Sequence, residues 1–162
     1  MKHVIKFWLS AAFLSIIISC GHQTKVVENN LNGAFHDALF KLSKAENPRK
    51  YVAYMVIPNT GCPGCINQAE NLLKEQINTS DKIRFILTNI ESLKMIKLKL
   101  GIDVKKNSRI LLDTNNIFYK DTFRSIYPKI YFVNEKGEID RTSEISPEQD
   151  GIAELKKALG KL

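Results

Sequence analysis

The stretch Tyr51-Val52-Ala53-Tyr54-Met55-Val56-Ile57-Pro58-Asn59-Thr60-Gly61-Cys62-Pro63-Gly64-Cys65-Ile66 decides the fold. Its opening run, Tyr51–Ile57, is apolar or aromatic, rich in strand formers and without clean alternation. That pattern predicts a central strand buried on both faces. Pro58 to Gly61 is turn chemistry. After the two cysteines, Ile66, Ala69, Leu73 and Ile77 recur at helical spacing, with Leu72 beside them. Pro63 suits the first turn of that helix, where its missing N–H is not needed. The cysteine pair therefore sits where a buried strand hands over to a helix. A helix N-terminus presents unpaired N–H groups and partial positive charge. Both stabilise a thiolate on Cys62, and the thiolate is the form that attacks a disulfide. Cys65, one turn further in, can then resolve the mixed disulfide.

Downstream, Ile83–Leu87 reads as a second strand. Leu93, Ile96, Leu98 and Leu100 predict a short helix ending at Gly101, and Arg109–Leu112 a short strand. Ile117–Phe123 reads as a helical turn, with Phe118 and Tyr119 as packing residues. Tyr127-Pro128 precedes the strand Lys129–Val133. Asn134-Glu135-Lys136-Gly137 is a hairpin turn and Glu138–Arg141 the return strand. Ser146-Pro147-Glu148-Gln149 reads as a helix start. Ile152, Leu155, Ala158 and Leu159 give the closing helix its apolar face. Upstream, Leu31, Ala34, Phe35, Ala38, Leu39 and Leu42 predict a helix over about Glu28–Ala45, ended by Asn47-Pro48. His36 falls on its polar side and reads as a surface residue. The alternation of strands and helices, closed by a hairpin and a helix, predicts an α/β sheet. Its first strands would be parallel and its last antiparallel.

The chain has 162 residues, 44% of them hydrophobic and 25% charged, which fits one globular core over most of its length. A disordered chain, a collagen and a multi-spanning membrane protein are excluded. Three cysteines are too few for a disulfide-stapled miniature scaffold or a four-cysteine zinc site. The net charge of +7 falls to +5 when Lys2 and Lys6 are set aside. The lysines are scattered among acids, so the reading is a solvated basic surface, with no nucleic acid as partner.

Residues 1–19 read as a signal peptide. A short basic start with Lys2 and Lys6 leads into the apolar run Phe7–Ser19, too short to span a bilayer. The run ends in Ile17-Ile18-Ser19-Cys20-Gly21, which resembles the lipobox of bacterial lipoproteins. That resemblance implies cleavage before Cys20 and acylation of its thiol, with 20–30 as lipidated residue and tether. An ordinary secretory signal or an uncleaved anchor would read the same residues. All three place the domain outside the cytoplasm, where disulfides persist.

The strand, the Cys62-Pro63-Gly64-Cys65 motif, Tyr127-Pro128, the hairpin and the closing helix together resemble the thioredoxin-like family. The likeness is strongest to its membrane-tethered extracytoplasmic branch (ResA/TlpA-like), and it covers roughly residues 48–161. It implies a thioredoxin-like three-layer fold over 31–162, a central mixed sheet with helices on both faces, preceded by an extra helix. It also implies a lipid-anchored thiol–disulfide oxidoreductase on the periplasmic side. Cys62 and Cys65 would be catalytic. A cis Pro128 with Tyr127 would shape the groove that pairs with a substrate strand. Protein or small thiol/disulfide substrates, a membrane redox partner and the bilayer are the implied partners. No bound cofactor is required. The sequence departs from the family pattern at Gly61, where Trp is common, in a strand 51–57 without a carboxylate, and at Tyr127.

Read from the residues alone, Cys62 and Cys65 also admit an inert disulfide or half of a metal site. Metal lacks two further ligands, since His22 and His36 lie elsewhere. Tyr127 is as readily a packing aromatic as a substrate contact, and Pro128 could be a trans loop proline. The rival function is a non-catalytic binding or assembly lipoprotein on the same scaffold. A peroxide-reducing enzyme fits less well, because Pro58 and Thr60 do not have the spacing of a peroxidatic loop.

Overall fold

The structure is a computed structural model that describes residues 22–160. The expected signal segment 1–19 and Cys20 lie outside these residues.

Strand β1 (Ala53–Pro58) is buried along its whole length and stands at the centre of a five-stranded sheet ordered β3-β2-β1-β4-β5. β2 (Ile83–Thr88) runs parallel to β1 with Met55 opposite Phe85, and β3 (Ile110–Asp113) runs parallel to β2. β4 (Lys129–Val133) pairs antiparallel to β1, and β5 (Ile139–Glu144) closes the sheet antiparallel to β4. The expected mixed α/β sheet, parallel first and antiparallel last, is what the chain forms.

The period of two in β1 explains why both faces are buried. Ala53, Met55 and Ile57 point into one core, which α2 (Pro63–Gln76), α3 (Leu93–Leu100) and α4 (Gly151–Leu159) cover with Ile66, Ala69, Leu73, Ile96, Leu100 and Leu155. Tyr54 and Val56 point into a second core built with Ile86, Tyr131, Phe118 and the helix α1 (His22–Leu42). Phe35 of α1 is its centre. The ring stands edge-on to Tyr54 at 5.3 Å and stacks on Tyr131 at 5.3 Å. Edge-to-face and offset contacts suit the ring quadrupole, and each contributes about 0.5–1.5 kcal/mol beyond area burial. The first helix is thus a structural layer of the domain. Among the described residues it spans His22–Leu42 against the expected Glu28–Ala45, so part of the stretch read as tether is helical. His36 is exposed and Phe118 is core, as read from the sequence.

Two short 3-10 turns, Ile117–Tyr119 and Asp121–Phe123, occupy the region read as a helical turn. The first is shaped by buried Asp113, whose carboxylate accepts from Thr88 Oγ1 (2.7 Å), Ile117 N–H (2.9 Å) and Phe118 N–H (2.7 Å). The start of the closing helix differs from the expectation. Ser146 does not cap α4. Its hydroxyl accepts from the N–H groups of Glu148 and Gln149, making a separate turn, and Gln149 Oε1 accepts from the Glu144 N–H. Asp150 is the cap, accepting from Ala153 N–H at 3.0 Å. Serine followed by proline favours a local side-chain turn as readily as a helix cap, and here the turn wins.

Candidate redox site

The site lies where β1 ends and α2 begins, at the carboxyl end of a central strand, where open α/β sheets place their functional loops. Asn59 N–H donates to the Thr88 carbonyl (3.0 Å), which holds the start of the loop on β2. Cys62 is the N-cap of α2, and Ile66 N–H donates back to its carbonyl at 2.9 Å. Pro63 occupies the first turn, as its fixed φ allows.

Cys62 and Cys65 are joined as a disulfide with their Cα atoms 5.3 Å apart. The Cys65 N–H points at Cys62 Sγ (3.4 Å). In the dithiol state that N–H and the helix N-terminus stabilise negative charge on Cys62 Sγ. The two sulfurs are unequally accessible. Cys62 is half-buried and reachable, whereas Cys65 is only 6% exposed and belongs to the core under α2. An outer sulfur to meet a partner and an inner one to release it is the division of labour that disulfide exchange requires.

The segment before β4 closes the other side of the site. The Ile126 carbonyl accepts the Cys62 N–H at 3.0 Å. Gly61 allows this approach: its φ is +148°, and a Cβ there would collide with the Ile126 carbonyl. A tryptophan, or any other side chain, has no room on this backbone. Ile126 was not singled out by sequence reasoning, yet it is 53% exposed beside Cys62. The unusual Gly61 was the signal that something approaches closely here.

Tyr127 is half-buried against the same core as Cys65, and its N–H donates to Ser125 Oγ at 3.0 Å. Pro128 is buried, and its carbonyl accepts from Ile145 N–H at 2.9 Å. The expected cis bond before Pro128 is not formed: no peptide bond among the described residues is cis. Trans is the lower-energy isomer of an X–Pro bond by about 0.5–1 kcal/mol, and the Ile126 carbonyl reaches Cys62 with the bond in that form. β1 carries no carboxylate, and the buried Asp113 is committed to the turn after β3.

No family model matches the chain, and no curated protein matches it. Among solved structures it is similar to one from Neisseria meningitidis assigned as a thioredoxin, at 16% identity and a TM-score of 0.46, covering 69% of this chain and 77% of that one. It is also similar to StoA from Bacillus subtilis, at 20% identity and a TM-score of 0.43, covering 68% and 84%. A third likeness is to a peroxiredoxin-like protein from Aquifex aeolicus, at 11% and 0.43, covering 70% and 74%. The chemistry of the site rests on the cysteine pair itself: an α/β domain presenting a helix-capping disulfide that opens only by taking up two electrons.

Proposed function

We propose that this chain is a thiol–disulfide oxidoreductase, held on the extracytoplasmic side of a bacterial membrane by acylated Cys20, and that it reduces protein disulfides. The observation that carries the reading is the asymmetry of the pair: an accessible Cys62 at the helix N-cap bonded to a buried Cys65. In the dithiol form, Cys62 thiolate attacks one sulfur of a substrate disulfide. A Cys62–substrate disulfide forms and one substrate thiolate leaves. Cys65 thiolate then attacks Cys62 Sγ, the Cys62–Cys65 bond forms, and the second substrate thiolate leaves. Two electrons pass from the pair to the substrate, and a separate membrane dithiol donor must return them. Tyr127 and Pro128, with Ile126, form the wall against which the substrate segment lies. The lipobox-like Ile17–Gly21 supports the anchor and the periplasmic location.

The rival reading, a binding or assembly module with a structural disulfide, is favoured by the missing carboxylate in β1. Trapping separates the two. With glutathione disulfide, Cys65→Ser accumulates a stable mixed disulfide on Cys62, because the resolving thiol is gone. Cys62→Ser, left with the buried Cys65, reacts at least tenfold more slowly. Intact-mass measurement reads both. Failure of Cys65→Ser to form the adduct would leave the binding module as the account.

A further inference from the structure

Helix α3 turns Ile96 and Leu100 into the core and leaves Met95 and Leu98 outside. These two side chains, one turn apart, are 62% and 68% exposed. They are two of the four large apolar side chains more than half exposed among the described residues, and they lie three residues apart on one helix. Packing explains the buried face of α3 and leaves this one without a partner in the fold.

The surroundings of the apolar pair are basic. Between Leu93 and Lys106 the chain carries five lysines and one acid, Asp103. Lys97 Nζ is bound to Asp103 (3.1 Å), and Lys99 Nζ to Glu70 on α2 (2.8 Å). Lys94, Lys105 and Lys106 are exposed, and none of them is in a salt bridge within 4 Å among the described residues. Lys94, Lys97 and Lys105 line one shallow cleft with Asp103. The Lys97 hydrogen bond, the Lys105 N–H and the Lys106 charge hold the Asp103 carboxyl below the usual carboxylate range, so it stays ionised, and one acid against five lysines leaves the segment net basic.

The geometry points to α3 and the turn after it as a docking face for an anionic lipid surface, with Met95 and Leu98 entering the headgroup region and Lys94, Lys105 and Lys106 meeting lipid phosphates. Charge complementarity selects this occupant. An apolar pair flanked by long cationic side chains matches a layer with negative charge outside and hydrocarbon beneath, and lysine stems can lie along the apolar surface while their heads reach phosphate. The inference is independent of the cysteine chemistry and of the lipobox reading. It adds an orientation: on the membrane, the domain would rest on its α3 side.

The test places a single tryptophan on α3 in the full chain. Leu98→Trp in a Trp8→Phe background leaves no other tryptophan, and Leu98 is exposed enough to accept the larger ring. Quenching by brominated acyl chains is measured in vesicles of pure phosphatidylcholine and in vesicles with 30% phosphatidylglycerol. The expected result is quenching in the anionic vesicles only, relieved by 0.5 M salt. Adding Lys94→Glu, Lys105→Glu and Lys106→Glu should weaken docking by roughly a hundredfold or more, at about fivefold per lysine near an anionic surface. Circular dichroism of each variant should match the parent, since the changes are at exposed positions. Phe40→Trp, on α1 across the sheet, should stay unquenched in the same background. Absence of quenching at position 98, equal quenching in neutral vesicles, or a response to polyglutamate but not to vesicles would each overturn the proposal.

Discussion

Gly61 shows how one residue sets the geometry of the site. It stands where a side chain would meet the Ile126 carbonyl, and its positive φ belongs to a region that L side chains rarely enter. Because it has no Cβ, Ile126 can accept the Cys62 N–H, and the cysteine loop is latched to the segment before β4. Gly61→Ala must push that segment away or change the loop backbone. We expect a loss of about 1–3 kcal/mol in urea denaturation, together with a shifted reduction potential. Gly64→Ala is the control: nothing lies within 4 Å of a Cβ added there, so stability should be unchanged or slightly raised. A Gly61→Ala chain as stable as the parent, with the same potential, would refute the latch. The cysteines were legible in the sequence because spacing and local chemistry mark them, whereas Gly61 read only as turn chemistry and as a departure from the family pattern. Ile126 was not legible, because its role arises from a backbone carbonyl, which carries no residue-type signature. The trans bond before Pro128 was equally hidden, since X–Pro sequence alone permits either isomer.

At the scale of elements, the first helix is joined to the sheet by more than its apolar face. Beyond its end, Glu46 accepts from Tyr54 Oη on β1 (2.8 Å) and from Arg84 Nη2 on β2 (2.8 Å), and the Arg84 guanidinium lies 5.5 Å from the centre of the Tyr51 ring. The Glu46 and Arg84 side chains are only 4% and 11% exposed, so removing either would leave the other's charge buried without its partner. Burial, and then the Glu46 carboxylate, push the Tyr54 phenol far above its ordinary value; burial does the same for Tyr131. Both stay neutral in the folded chain while the unfolded chain ionises near pH 10. Their contribution is therefore complete below about pH 10 and is lost as pH rises above it. Chemical denaturation at pH 8, 10 and 11 should show stability falling across the upper interval. Tyr54→Phe should have a shallower fall and should be about 1–2 kcal/mol less stable at pH 8, where Glu46 loses a hydrogen-bond donor. An unchanged slope in Tyr54→Phe would show that Tyr54 does not carry the effect. Most elements were legible within a residue or two, since apolar period and capping are local signals: α3 spans Leu93–Leu100 and β4 spans Lys129–Val133, as read. The start of α4 was not, because Ser146 and Asp150 are both competent caps and tertiary contacts chose between them. Nor was the docking of α1, because an amphipathic helix does not name the surface it covers.

At the scale of the whole molecule, two cores on opposite faces of one sheet hold β1 rigidly, and the cysteine pair sits at its open end. The inner sulfur is part of the first core, under α2. Parallel strands first and antiparallel strands last followed from the alternation of elements; the order β3-β2-β1-β4-β5, with β4 paired to β1 beside the site, did not, because a hairpin fixes only β5 against β4. A domain that works as proposed needs the Cys62–Cys65 bond to be a reversible redox couple. The most direct test of that is an equilibrium titration of the chain in glutathione or dithiothreitol buffers, read by thiol trapping and mass. The expected result is a reversible two-electron transition between roughly −120 and −270 mV, with a value near −270 mV marking a reductant. A pair that stays oxidised well below about −300 mV would be a structural disulfide, and would contradict it.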